Sequence, residues 1–188
     1  MRCGLLDFGN NKNTPRRNAS ADEVAAAAQY FSVQHLRPRV KVLERSHVPK
    51  THVVGWVYVA DGGGAEELLG ERLLELAPDA QLQERRADDM RYITYVPLGS
   101  IGRGRSIVRS GEGAPTMACV TCHGENLQGT GLIPPLAGRS PTYILRQLLA
   151  FKTGARAGAT AQPMQAVVAS LQIGSMIDVA AYAASLQP

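Results

Sequence analysis

The chain has 188 residues, of which 45% are hydrophobic, 19% charged and only 5% aromatic; this suits one ordinary domain or two small ones and excludes a collagenous or wholly disordered chain. No run approaches the roughly 18 apolar residues that span a bilayer, and the opening MRCGLLDFGN lacks the basic, apolar, then small-residue order of a secretory signal. The net charge of +4 is uneven, since residues 101–188 hold 7 Lys+Arg against 3 Asp+Glu while residues 1–100 balance at 13 against 13, and no nucleic-acid partner is expected from it.

Residues 20–34, SADEVAAAAQYFSVQ, start with a serine, carry Glu23 three positions later and continue in strong helix formers, which predicts a capped helix. From Arg37 to about Leu98 the texture changes to alternating, β-branched runs: VKVL, THVVGWVYVA, ERLLEL and RYITYVP, broken by DGGG and by APDA. The triple glycine at 62–64 has no following Gly-Lys-Ser/Thr and no spaced GxGxxG, so it reads as a turn joining two strands. Helical texture returns after Gly99, in Ile101–Ser110, in PTYILRQLLAFKTG and in Ser175–Leu186, with Gly- and Pro-rich loops between. A weak internal repeat pairs LLDF at 5–8 with LLAF at 148–151, and VAAAAQYFSVQ at 24–34 with IDVAAYAASLQ at 177–187.

Three cysteines cannot make a disulfide framework. Cys3 is isolated and reads as a small packing residue or an accident of the terminus. Cys119 and Cys122 stand three apart with His123 directly after, giving C-x-x-C-H, the haem attachment signature. Both thiols can add across haem vinyl groups if one helical turn presents them to the same macrocycle edge, and His123 then lies under the ring centre. A thioredoxin-like redox pair would require a leading strand, which GEGAPTMA does not supply, and a closed zinc site would need two further ligands, whereas no other Cys or His follows His52. An iron held by His123 takes a second ligand opposite, often a methionine thioether. Met164, in a Gly/Ala/Pro loop, is the candidate; Met176, at the start of the last helix, reads as core filler, and Met117 is too close along the chain.

Residues 101–188 resemble a class I c-type cytochrome in the short form found as one half of a dihaem cytochrome. The matching pieces run in order: the short helix with Gly104, CVTCH, IPPLAG at 133–138, YILRQLLAFKTGAR, PM at 163–164 and DVAAYAASL at 178–186. The resemblance implies one haem c held by Cys119 and Cys122, with His123 and Met164 on the iron. It further implies a Pro134 carbonyl toward the free nitrogen of the proximal His, Leu136 packed on the haem face, and a close helix crossing at Gly104 and Tyr182. Arg139, Tyr143, Gln147 and Arg156 become candidates for propionate contacts or the haem edge.

Residues 1–36 resemble the tail of an upstream domain of the same kind. They have no CxxCH, and GNNKNTPRRN has no methionine, so this tail binds no haem as it stands and the start is expected to be truncated. The expected fold class is therefore mainly α: a cytochrome domain at 101–188, a β-rich linker segment at 37–100 and a helical remnant at 1–36. The expected function is electron transfer between a redox donor and acceptor, one of them with an acidic surface met by Arg103, Arg105, Arg139, Lys152 and Arg156. It is expected on the periplasmic side, because covalent haem attachment implies that compartment. The alternative is a cytochrome subunit of a periplasmic dehydrogenase or oxidase complex. No catalysis is expected at a six-coordinate iron, and the chain shows no transmembrane segment.

Overall fold

The computed structural model describes residues 19–34, 37–55, 57–87 and 89–188; Cys3, LLDF and the stretch 9–18 lie outside them. Helices dominate, with a small β-rich region preceding the C-terminal helical domain. The chain divides into two compact units, Met1–Leu36 and Arg37–Pro188.

In the first unit, α1 (Ala21–Ser32) begins at the predicted capping box. The Glu23 amide donates to the Ser20 hydroxyl at 3.2 Å, and the Ser20 amide donates to the Glu23 carboxylate at 2.7 Å, which satisfies two of the helix's orphan donors. That backbone bond also holds the Glu23 carboxyl below its ordinary range. None of the residues of α1 is buried, whereas its sequence echo in the last helix is buried almost throughout.

The second unit opens with short strands: β1 (Val40–Glu44), β2 (His47–Pro49), β3 (Thr51–Val54), β4 (Val57–Ala60), β5 (Glu66–Leu68), β6 (Leu74–Leu76) and β7 (Tyr92–Val96). The run THVVGWVYVA, read as one alternating stretch, is a β3–β4 hairpin in which Thr51 opposes Ala60, and Gly55 turns with φ +60°. APDA, read as a break, starts a helix, because the Asp79 carboxylate accepts the amides of Gln81 and Leu82 at 2.9 Å and caps α2 (Ala80–Glu84). β7 is central in a sheet of order β1-β7-β6, parallel to β1 and antiparallel to β6. Val48, Leu69, Leu74 and Leu76 form a small core on one face of it, with Tyr95 packed alongside.

The helical part comprises α3 (Ser100–Ser110), the single turn α4 (Val120–His123), α5 (Pro141–Lys152), α6 (Gln162–Val168) and α7 (Ile173–Ser185). α3 buries Ser100, Gly104, Ile107 and Val108, and α5 buries Ile144, Leu148 and Phe151, one stripe each at helical spacing. α7 is the central element: Met176, Val179, Ala180, Ala181 and Ala183 are at most 3% exposed, and it packs across α3 and α5 and also against β1 and β7. Gly104 on α3 lets the two axes come close where Asp178 and Tyr182 of α7 stand over it, and Arg103 closes the crossing by donating to both Asp178 carboxylate oxygens at 2.8 and 2.9 Å.

Two carboxylates from the β-layer seat the helices. Gly99 enters α3 with φ +79° and has no side chain to cap it; the Ile101 amide donates instead to Glu44 at 2.7 Å, across 57 positions of sequence. The Ser140 hydroxyl, which caps α5 by accepting the Tyr143 amide, donates to Glu75 at 2.8 Å, and Glu75 also accepts from the fully buried Thr94 hydroxyl at 2.9 Å. The β-rich stretch and the helices thus form one unit with shared hydrogen bonds.

Candidate functional site

The turn α4 is built from CVTCH itself. The His123 amide donates to the Cys119 carbonyl and the Gly124 amide to the Val120 carbonyl, both at 3.0 Å, so the two thiols and the imidazole are presented within one turn. Both thiols are free, Cys119 half-buried and Cys122 exposed. Burial pushes the Cys119 thiol up to about 11, and it is a neutral thiol at neutral pH.

His123 is 6% exposed, and its Nδ1 lies 2.9 Å from the Pro134 carbonyl oxygen. A carbonyl only accepts, so Nδ1 carries the proton, and Nε2 is the ring nitrogen left to bind a metal. The loop that delivers Pro134 depends on two residues that sequence reasoning passed over. Gly129 has φ +82°, and a Cβ there would stand 2.5 Å from the Ile133 carbonyl oxygen and 2.9 Å from the Pro135 nitrogen. Leu127, fully buried with φ +56°, accepts the amides of Leu136 and Ala137 at 2.8 and 3.0 Å. The only local signal for this loop is a glycine ahead of a Pro-Pro pair, which does not identify the backbone it must accommodate.

Met164 was expected in an open loop, but it lies in α6, behind a 3-10 turn at Ala159–Ala161. The correction has a local cause: Pro163 is set in the first turn, where it costs no hydrogen bond and its fixed φ favours helix. Met164 is partly buried against the main core and in contact with His123, while Met176 is fully buried within that core. Leu136 packs on the same core from the loop. Arg139 is exposed and donates to the Pro135 carbonyl at 2.6 Å, and Tyr143 is 40% exposed on the first turn of α5. Gln147 and Arg156 meet, the guanidinium donating at 2.8 Å to the Gln147 side chain, with Arg156 also stacked 4.6 Å over the Phe151 ring.

Two residues expected at the charged edge are engaged in the fold instead: Arg103 with Asp178, and Lys152, whose ammonium donates to the Leu171 carbonyl. Two clefts, of about 370 and 270 Å³, sit on the β-layer around Pro78 and Ile93 and contain none of the candidate site residues.

Two thiols presented within one turn and an imidazole whose Nε2 is left for a metal are what a covalently attached haem requires, and Met164 adds a thioether of the kind that serves as a second ligand, so the residues present fit that group. The cytochrome c family model matches residues 108–187. The chain is 41% identical over 69 residues to cytochrome c-552 of Acidithiobacillus ferridurans, covering 37% of this chain and 29% of that relative's length. It is 38% identical over 68 residues to cytochrome c-554(548) of Halomonas halodenitrificans, covering 36% of this chain and 82% of the relative. It is 36% identical over 78 residues to cytochrome c-554(547) of Halothiobacillus neapolitanus, covering 37% of this chain and 86% of the relative. The C-terminal part is a class I c-type cytochrome domain, and the chain belongs to the cytochrome c family.

Proposed function

We propose that this chain is an electron carrier, not an enzyme, holding one haem c through thioether bonds at Cys119 and Cys122 with His123 and Met164 as axial ligands. The observation that carries this reading is His123: its Nδ1–H is tied to Pro134, its other ring nitrogen is left for iron, and Met164 is in contact with this residue. When bound, the haem supplies an iron that alternates between Fe(III) and Fe(II). The protein's residues do the rest. The Pro134 carbonyl fixes the imidazole's tautomer and orientation, Leu136 and the core exclude water, and the Arg156–Gln147 pair, Arg139 and Tyr143 line the polar margin where propionates are met. Were His123 and Met164 both to bind the iron, no position there would be left for a substrate.

In this reading residues 101–188 are the haem domain, 37–100 the segment preceding it, and 1–36 the tail of a further cytochrome-like domain, as in the C-terminal half of a dihaem protein. The compartment is the periplasmic side, as the family implies; among the described residues no single helix is long and apolar enough to cross a membrane. Co-expression with haem-attachment machinery is expected to yield a polypeptide that keeps its haem stain on a denaturing gel and titrates reversibly with one electron. Removal of all haem by acid and organic solvent overturns the thioether assignment.

The partner is a redox protein with an acidic surface. Arg103 and Arg109 are paired with the carboxylates of Asp178 and Glu125, and the exposed Arg105, Arg139, Arg146, Lys152 and Arg156, which have no carboxylate partner among the described residues, are left to steer it. The bimolecular electron-transfer rate with an acidic acceptor is expected to fall as ionic strength rises toward ~0.1 M, where screening acts beyond about 10 Å. A rate flat or rising with salt removes the acidic partner.

A further inference from the structure

The helix that carries Met164 has little to hold it by itself. α6 is seven residues long, its N-cap Ala161 offers no side-chain cap, and a Gly- and Ala-rich stretch leads into it. A helix this short is marginal alone, because nucleation costs more than two turns return. Ala161 and Val168 anchor its ends in the core.

Two hydroxyls add a second fastening. The Thr116 hydroxyl donates to the Val167 carbonyl at 2.8 Å, across 51 positions, and the Ser170 hydroxyl donates back to the Pro115 carbonyl. Pro115 and Thr116 are adjacent, so the bonds are reciprocal and join one dipeptide to the C-terminal end of α6. The dipeptide is held in turn by Gly111, whose φ of +74° and missing side chain let the Thr116 carbonyl fold in; a Cβ there would stand 2.4 Å from that oxygen. Thr116 is three residues before Cys119, and Val167 is three residues after Met164. The bonds therefore clasp the segment leading to the His-bearing turn to the segment carrying the methionine, close to both.

We infer that Thr116 and Ser170 are positioning residues for Met164, holding its thioether at the sixth position of the iron and setting how readily an external ligand displaces it. This rests on Met164 being the distal ligand. Each clasp bond, at the usual net worth of a hydrogen bond, is expected to hold the displaced population down about fivefold.

The test is an imidazole titration of the ferric, haem-loaded protein, followed at the near-infrared sulfur-to-iron charge-transfer band, with the unfolding midpoint measured in parallel. Thr116→Val and Ser170→Ala are each expected to tighten apparent imidazole binding about fivefold, while Thr116→Ser, which keeps the donor, binds as the unmodified protein does. Ser170 is exposed, so Ser170→Ala carries the test if Thr116→Val does not fold. Unchanged imidazole affinity in both variants, even with a lowered midpoint, overturns the clasp and leaves the hydroxyls a purely structural role. Survival of the band in Met164→Ala, by contrast, overturns the ligand assignment on which the inference rests.

Discussion

Alanine at Gly104 is expected to destabilise the haem domain by more than about 3 kcal/mol, and by enough to prevent its folding if the starting stability is at the low end of the usual range. A Cβ built on Gly104 stands 1.9 Å from the Asp178 carbonyl oxygen, 2.6 Å from its carbon and 2.9 Å from the Tyr182 Cβ. Two of these atoms are backbone of α7, the most buried helix among the described residues, so no rotamer change relieves the clash. α3 and α7 have to separate, and separation loosens Ile107, Val108 and Ala183 and pulls Arg103 from Asp178, whose carboxylate is 10% exposed. Ordinary overpacking costs about 1–3 kcal/mol where side chains can shift; backbone against backbone exceeds that. Gly102 provides the control, since nothing lies within 4 Å of a Cβ there, and Gly102→Ala is expected to stabilise α3 by up to about 1 kcal/mol. Urea midpoints of the two haem-loaded variants check the pair. A Gly104→Ala loss under about 1 kcal/mol contradicts the close crossing.

The two methionines of the haem domain's last third are expected to respond in opposite ways. Met176 is fully buried in the main core, and Met176→Ala removes side-chain contacts and leaves a cavity, costing about 2–5 kcal/mol, with the sulfur-to-iron band retained. Met164 is only partly buried, so Met164→Ala is expected to cost less stability while abolishing the band and opening the iron's sixth position to imidazole. Unfolding midpoints and near-infrared spectra of the two ferric variants decide. Loss of the band in Met176→Ala with survival in Met164→Ala reverses the assignment.

Much of the local structure was legible because its causes lie within a few residues. The capping box of Ser20 and Glu23, the one-turn presentation in CVTCH and the apolar stripes of α3 and α5 all follow from side chains three to seven positions apart, the range over which helix geometry couples neighbours. The resemblance implied a Pro134 carbonyl toward His123, and a hydrogen bond joins the two. Where the cause was local but ambiguous, reading failed: the Gly/Ala/Pro composition around Met164 serves a loop or a proline-started helix, and Pro163 in the first turn of α6 starts a helix whose ends, Ala161 and Val168, are buried.

Other features depend on groups that meet only after the chain has folded. α3 has glycine at its cap position, and no window around Gly99 reveals that Glu44 supplies the acceptor from 57 residues away. Ser140 shows that α5 begins there, yet its bond to Glu75, shared with a buried Thr94, needs β6, β7 and α5 already in place. Arg103 and Lys152 read as free surface cations, until folding brought Asp178 and the Leu171 carbonyl within their reach. Sequence alone indicated which residues could hold a haem and that α1, α3, α5 and α7 would be helical, though not α2 or α6, since spacing and periodicity are short-range properties. Which charges are paired, how deeply Met164 and Met176 sit in the core and which hydroxyls bond across the chain were decided by tertiary structure, because each depends on partners separated by tens of residues.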